Sequence, residues 1–455
     1  MLSNSSKTKQ QNLFYSPLSD MLDMNDPLIA LSNAIDWEIF ENEFSQFYSK
    51  DGSPAKPIRL MVGLLILKQL ENLSDESIVI QWKRNPYYQY FCGYNEMQLC
   101  EPCHSTQLVK FRQRIGKKGM ELIFKVSVQL HGSCAEEQQV LIDTTVQEKN
   151  ITYPTDGKLA IKMIHHLHKI GKKEQLNLRR TFVKEIKEHR INLRFFKHPK
   201  KIKKARSSIK RLRTIVGILI RDISRNLKQD KLSNYTNTFD LFDKVRNQQI
   251  KDSNKVLSFH ESHVYAITKG KDHKKYEYGT KASIVATKDS GVIVGVASHS
   301  KNEHDSKTLE AALISANKTR TTAIKEVICD RGYRGIKEVL GTIISIPGTT
   351  LKKDTEYQKQ QKRDKFKRRA AIEPIIGHLK SDFRLARNYL KGFIGDQINL
   401  LLAATAWNLK KWMNIYFFAI ISGEMKLLLE SIKQIKLYNQ IFLQLIVIKL
   451  IFTHP

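Results

Sequence analysis

The apolar and polar positions of the first third of the chain follow helical periods. Residues 57–73 form a strongly apolar run that opens with proline, so they predict a buried helix. Ser74, followed by two acids, predicts the start of the next helix, and Asn85-Pro86 predicts its end. Ser105 predicts the cap of a further helix that has Gly116 near its end. A compact, basic helical module is therefore expected here.

Short β-branched runs between turn residues replace this pattern after Gln139. Residues 140–146 predict a strand with one acid, Asp143, in its middle. Two strand-like runs flank the turn Asp289-Ser290-Gly291 and predict a hairpin. The other predicted elements are a helix at 306–316, a strand ending at Asp330, a short helix at Gly332-Tyr333, a strand at 343–346 and a late helix carrying Glu373. This order predicts an α/β protein.

Chain-breaking prolines and shifts in composition divide the chain into four parts. We predict a polar N-terminal extension at 1–54, a helical domain at 55–135, an α/β domain at 136–412 and a helical tail at 413–455. Residues 158–250 are helical in pattern and dense in lysine and arginine, which predicts an insertion after the first strand. A short helical pattern at 34–47 precedes these parts. The N-terminus has no apolar core of a signal peptide, and the apolar runs near the C-terminus are too short to span a bilayer.

The net charge of the chain indicates the kind of partner that it binds. Lysine and arginine number 76 against 45 acids, a formal net charge of +31. Nucleic acid is the commonest partner of such an excess, and an anionic membrane surface is the main rival. Five cysteines fit a reducing compartment, so a cytosolic protein is expected. Cys100-Glu-Pro-Cys103-His104 has the spacing of a haem or half a zinc site, but it lacks a second ligand pair, and a turn around Pro102 is the favoured interpretation.

Three carboxylates are candidates for chemistry: Asp143, Asp330 and Glu373. An acid inside a buried strand is costly unless it is paired or binds metal. Acids on neighbouring strands can meet at one edge of a sheet, and the late helix can add the third. Carboxylates so close repel one another unless hard cations lie among them, and Mg²⁺ prefers oxygen ligands. The alternative is that each acid is an ordinary turn or helix residue.

Glu373 lies alone in a run of cations. Arg369 lies four positions before it and Lys380 seven after it, so all three would share a face of an unbroken helix. Pro374 either opens a helix there or kinks a longer one. The cations on the N-terminal side are Lys365, Lys367, Arg368 and Arg369. An exposed, salt-bridged helix is the plain alternative to a metal site beside a polyanion.

Several segments together resemble the IS-five group of insertion-sequence transposases, which belongs to the DDE superfamily. The segments are PIRLMVGLLILKQL with LSDE and NPYYQYFCG, DTTVQEKNITYPTDGKL, LSFHESHVYAITKGKDHKKYEYGTK, CDRGYRG and AIEPIIGHLKSDFRLARNYLKG. The resemblance covers residues 55–412 and implies an RNase H-like fold, a mixed sheet flanked by helices. The N-terminal helical domain then takes a DNA-binding role.

The resemblance also implies roles for single residues. Asp143, Asp330 and Glu373 would bind two Mg²⁺ ions, with Mn²⁺ able to substitute. Arg369 and Lys380 match the superfamily pattern, whereas its tyrosine position holds Phe366. The implied DNA contacts are Arg369, Lys380, Arg368 and Lys365, and the implied supporting residues are Asn302 and Asp305.

The implied activity is DNA transposition in the cytoplasm or nucleoid of a prokaryote. The enzyme would bind the terminal inverted repeats of its element as double-stranded DNA, cleave them with Mg²⁺ and join them to target DNA, as a homodimer in the synaptic complex. Two alternatives remain open at this point: a DNA-binding copy without catalysis, and a hydrolytic nuclease of similar fold. Residues 413–455 match no segment of the family.

Overall fold

The computed structural model describes residues 16–49, 54–249, 252, 255–268, 275–348 and 354–452, without the side chains of Lys362, Lys365 and residues 424–452. The chain begins with seven helices: α1 (Leu18–Met21), α2 (Pro27–Ala34), α3 (Glu38–Ser45), α4 (Ile58–Leu70), α5 (Asp75–Arg84), α6 (Pro86–Phe91) and α7 (Ser105–Gln129). The α4 helix is apolar on every side and almost wholly buried, as its run of leucines predicts.

Helix caps explain the boundaries of this part and correct two expectations. The Ser74 hydroxyl accepts a hydrogen bond from the Ser77 amide at 3.0 Å, which confirms the predicted cap of α5. The α7 helix is capped by His104 rather than Ser105. It also continues past Gly116, which has a φ of 57° and breaks the helix internally. The pattern at 34–47 covers the end of α2 and all of α3, two helices instead of one.

A seven-stranded mixed sheet forms the second part. Its strands are β1 (Gln139–Glu148), β2 (Tyr265–Ile267), β3 (Glu277–Thr287), β4 (Ile293–His299), β5 (Glu326–Ile328), β6 (Glu338–Val339) and β7 (Thr342–Ser345). The order is β2-β3-β1-β5-β7-β6, and β4 also pairs with β3. The β3–β4 hairpin is confirmed, and β5 runs parallel to both β1 and β7. Helices flank this sheet, so the fold is α/β and RNase H-like, as predicted.

The remaining helices lie in two groups. The insertion after β1 contains α8 (Asp156–Lys173), α9 (Val183–Leu193), α10 (Ile202–Asn226), α11 (Gln229–Leu232) and α12 (Thr236–Asn247). The sheet is covered by α13 (Leu309–Asn317), α14 (Glu356–Lys367), α15 (Ile372–Ser381) and α16 (Gly392–Phe452). Short 3₁₀ turns occupy Asp305–Thr308, Arg331–Tyr333 and Arg368–Ala371. No helix of the described residues has the length and apolar character to cross a bilayer.

The two largest hydrophobic cores of the described residues follow from this arrangement. One is continuous from the helical module through the sheet to α16, and includes Phe44, Leu65, Val285 and Leu402. The other belongs to the insertion, where apolar faces of α8, α10 and α12 meet. The Gln69 amide donates to the carbonyl oxygen of Phe383 at 2.6 Å, which ties α4 to the loop after α15. The helical module is thus packed directly against the α/β part.

Lys68, Asp75 and Arg112 form a buried ion network within the helical module. Lys68 Nζ lies 2.8 Å from Oδ1 of Asp75, and Arg112 donates to both carboxylate oxygens. Burial alone would raise the pKa of Asp75, but the Arg112 hydrogen bond and the two positive charges lower it to about 2. Burial lowers the pKa of Lys68 to about 8, and Asp75 opposes that shift.

The Asp75 carboxylate therefore stabilises the fold above pH 3.8, and this stabilisation is lost as the pH falls through about 2. We expect the free energy of unfolding of the wild type to fall by about 2 kcal/mol more than that of Asp75→Asn across this window. Urea unfolding at a series of pH values from 5 downward measures the difference. Parallel pH profiles for the two proteins would contradict the expectation.

Candidate active site

The strand register brings two of the predicted acids together. On the parallel strands β1 and β5, Leu141 is opposite Ile328. Asp143 lies two residues further along β1, and Asp330 follows the last residue of β5 by two positions in extended backbone. Because side chains alternate across a sheet, both acids lie on the same face as Leu141 and Ile328. This register is compatible with acids meeting at one sheet edge, and the convergence of all three acids on a shared metal site stays a prediction.

The third predicted acid belongs to the helix packed on that face. Ile372 of α15 forms a buried cluster with Leu141 and Ile328, directly below the two aspartates. Glu373 follows Ile372 in the first turn of α15, with its side chain 64% exposed and 3.9 Å from Nη2 of Arg369. The helix is not continuous from Arg369 to Lys380, because a 3₁₀ turn at Arg368–Ala371 separates α14 from α15. Pro374 lies in the first turn of α15, which matches the first of its two predicted roles.

Asp305 joins the site more closely than its predicted supporting role suggests. Its Oδ1 accepts hydrogen bonds from the hydroxyl of Thr144 and from Lys281 Nζ, both at 2.9 Å. Thr144 is the residue after Asp143, so Asp305 is held against β1. A Cβ placed on Gly332 would lie 3.0 Å from Oδ1 of Asp330 and 3.4 Å from Oδ2 of Asp305. Glycine at 332 thus allows both carboxylates to approach the same turn.

Tyr333 is a functional candidate that the sequence did not single out, although it lies in the CDRGYRG segment. Its side chain is fully buried, and its hydroxyl has no hydrogen-bond partner among the described residues. Burial raises the pKa of Tyr333, and the charges of Asp143, Asp305 and Asp330 raise it further. The phenol therefore stays protonated, and it is near enough to the three aspartates for their charges to act on it.

Cys329, the residue after β5, is affected by the charges of the same aspartates. Burial raises the pKa of its thiol to about 12, the charges of Asp330 and Asp143 add to the effect, and Arg369 opposes it. The Arg369 guanidinium is therefore near enough to the end of β5 for its charge to act on this thiol. A protonated, buried thiol is inert as a nucleophile, so chemistry here depends on the carboxylates.

The other predicted DNA contacts are distributed around the late helices. Arg368 donates to the carbonyl oxygen of Asp289 at 2.5 Å, which anchors it to the β3–β4 turn. Lys380 is half-buried near the end of α15, and the Lys365 side chain lies outside the described residues. Asn302 is exposed three residues before Asp305. Phe366, at the tyrosine position of the pattern, packs against the Leu141–Ile328–Ile372 cluster, where a ring without a hydroxyl is well suited.

Carboxylate oxygens are suitable donors for a hard divalent cation, and the unpaired hydroxyl of Tyr333 adds a polar atom beside them. In the described part of the chain, no group of three or more histidine, cysteine or acidic side chains is positioned to hold a metal ion. Asp143 lies within β1 and Asp330 caps the 3₁₀ turn after β5, whereas Glu373 is exposed in the first turn of α15. Cys100 and Cys103 are free cysteines, the first exposed and the second buried.

Replacing Tyr333 with phenylalanine is expected to raise the free energy of unfolding by about 1 kcal/mol, because it removes a buried hydroxyl that has no partner. Tyr265→Phe is the matched control. Its hydroxyl donates to the carbonyl of His299 at 2.8 Å and accepts from the Lys281 amide at 2.7 Å, so its loss should destabilise by about 1 kcal/mol. Urea unfolding in the presence of a chelator compares the two variants. A loss of stability in Tyr333→Phe would show that the hydroxyl is paired.

Comparison with known proteins assigns two parts of the chain. Residues 16–114 match the family model described as "Transposase domain (DUF772)", and residues 252–409 match "Transposase DDE domain". A relative from Rhizobium meliloti, "Uncharacterized protein ORF8 in nfe locus", is 36% identical over 194 residues, which are 42% of this chain and 94% of the relative. No solved structure matches the chain. The second match contains Asp305, Asp330 and Glu373, while Asp143 and the insertion precede it.

Proposed function

Because the chain belongs to the DDE superfamily of insertion-sequence transposases, we propose that it cleaves the ends of its own mobile element and joins them to target DNA. Within the superfamily we assign it to the IS-five group. The observation that supports this most is the parallel register of β1 and β5, in which Leu141 pairs with Ile328 two residues before Asp143 and Asp330, with Ile372 of α15 packed on the same pair. A basic binding protein without chemistry would have no use for two adjacent acids on a sheet edge.

In this proposal Asp143, Asp330 and Glu373 hold divalent ions, Mg²⁺ or Mn²⁺. Such ions activate a water or a 3′-hydroxyl and stabilise the leaving oxygen in phosphodiester displacement. Asp305 holds β1 in place through Thr144, and Lys281 neutralises part of the negative charge of the cluster. Glu373 is exposed, so it can turn toward the aspartates when ions and DNA approach.

The cationic residues of α14 and α15 would hold the DNA strand. Arg369 lies 3.9 Å from Glu373, and in this proposal it binds the phosphate next to the one that reacts. Arg368, Lys380 and Lys365 would extend this contact along the backbone of the strand. The helical module would read the inverted repeats, and bringing two ends together would need a dimer of the protein.

The test uses duplexes taken from the two DNA flanks of the coding region, incubated with the full-length protein, a supercoiled target plasmid and Mg²⁺. Joined products that carry the duplex in the plasmid support the proposal. Products that are cut but never joined would identify a hydrolytic nuclease. Binding with no cutting in Mg²⁺ or Mn²⁺ would identify a DNA-binding copy without catalysis. Asp330→Asn in parallel shows whether cutting belongs to this protein.

A further inference from the structure

The insertion after β1 concentrates the positive charge of the chain. Residues 156–249 contain 26 lysines and arginines against 8 acids, which leaves +18 of the chain's formal +31 in about a fifth of its length. The catalytic edge of the sheet uses none of these residues. An excess of this size on one helical unit points to a polyanionic partner of its own.

The α10 helix divides its residues between the core and the solvent. Leu212, Val216, Leu219 and Ile223 are buried in the core of the insertion. The opposite face carries cations at helical spacing, which we call the α10 cation face: Arg206, Lys210, Arg213, Arg221 and Arg225 of α10, with Arg246 of α12 beside them. Five of these six, all except Arg225, line a groove of about 590 Å³.

The inner arginines of this groove are held in place. A Cβ on Gly217 would lie 2.2 Å from Nη1 of Arg246, so the guanidinium lies directly over the glycine of α10. Arg213 is fixed by Asp156 at 2.8 Å and by the carbonyl of Gln248 at 3.2 Å. The Nε of Arg246 is buried and has no hydrogen-bond partner among the described residues. The Nη2 atom of the same guanidinium lies 2.9 Å from Oδ1 of Asp243, which also holds Arg246 in place.

The outer cations are exposed and lack acidic partners. No carboxylate of a described residue lies within 4.0 Å of the charged groups of Arg206, Lys210 or Arg221. A second cavity of about 530 Å³ shares Arg221 with the first and adds Arg179, Arg180 and Arg225. From Arg206 to Arg225 the cation face extends for about 28 Å along the helix, at 1.5 Å per residue.

We propose that the α10 cation face binds the phosphate backbone of duplex DNA, without reading its sequence, at a site separate from the catalytic edge. A length of about 28 Å spans roughly eight phosphates of one strand at 3.4 Å each. A helix that binds membranes needs a free apolar face, and the apolar face of α10 is buried in the insertion core. The inference rests on the proposed function for its choice of DNA over other polyanions.

The experiment measures binding alone, so it does not depend on catalysis. Full-length protein is titrated onto a duplex of roughly 30 base pairs that lacks the element's ends, in chelator, over a series of salt concentrations. The variant combines Arg206→Ala, Lys210→Ala and Arg221→Ala. The control combines Lys172→Ala, Lys184→Ala and Lys187→Ala, three exposed lysines of α8 and α9 outside the groove. Both lose three charges, and thermal unfolding verifies that both are folded.

The groove variant is expected to reduce the slope of log K against log salt by about 2 to 3, since each lost phosphate contact removes about 0.9. Its affinity at 100 mM salt should fall roughly ten- to a hundredfold, while the control stays close to the wild type. Equal slopes in variant and control would overturn the proposal. The proposal would also be overturned if the groove variant lost binding to phosphatidylserine vesicles while its DNA binding stayed unchanged. If the wild type never cleaves DNA but the groove variant loses binding, the proposed function fails and this inference stands.

Discussion

Asp143→Asn is expected to lower the rate of DNA strand cleavage at least about a thousandfold while end binding in chelator stays within a factor of about two. Asparagine preserves the size of the side chain but removes the charge that a divalent ion needs. The stability of the protein should not fall, because three aspartates beside one buried phenol repel one another. The measurement is single-turnover cleavage of end duplexes with Mg²⁺.

Two further variants sharpen this expectation. The double variant Asp143→Asn/Asp330→Asn should be no slower than either single variant, since the acids act as a unit. Asp305→Asn should cost only about ten- to a hundredfold, because in our proposal Asp305 positions β1 through Thr144 and does not hold the ion. Cleavage at an undiminished rate in Asp143→Asn would remove the sheet edge from the mechanism. Equal losses in Asp305→Asn and Asp143→Asn would place Asp305 among the ligands.

Local patterns were sufficient to predict most of the elements. The apolar run before Ser74, the β-branched strand around Asp143 and the turn at Asp289-Ser290-Gly291 each carry their signal within a few residues, and all three are confirmed. The two-residue strand β6 was missed because so short a run has no period. The break inside α7 was missed because a glycine after a helical run usually marks the end of the helix, whereas here the helix resumes after Gly116.

The acids of the candidate site could be predicted from the sequence, but the contacts that surround them could not. Asp143 and Asp330 could be paired from their places on strands, since parallel neighbours bring equivalent positions together. The close involvement of Asp305 depends on hydrogen bonds from Thr144 and Lys281, 161 and 24 residues away in sequence. Tyr333 gave no signal of its own, because a tyrosine after a turn is usually ordinary packing. Contacts of this kind have no local pattern and require the folded chain.

The largest expected effect on stability belongs to a buried ion network at the base of the insertion. Asp396 of α16 is fully buried, and its carboxylate lies 2.6 Å from Lys149 Nζ, 2.6 Å from the Asn388 amide and 2.9 Å from His263 Nε2. Glu261 lies 3.3 Å from the same lysine. Lys149 precedes the insertion, whereas Glu261 and His263 follow it. The network therefore fixes both connections of the insertion to α16.

Asp396→Asn is expected to lower the free energy of unfolding by about 3 to 5 kcal/mol, because it leaves Lys149 charged and buried without its main partner. Asp289→Asn is the matched control, since it breaks the exposed ion pair with Arg368 and should cost less than about 1 kcal/mol. Urea unfolding at pH 7 measures both changes. The triple variant Lys149→Met/Glu261→Gln/Asp396→Asn should recover most of the loss, since it removes all three buried charges together with their desolvation cost. A loss in Asp396→Asn no larger than that of the control would mean that the insertion is held by its apolar contacts alone.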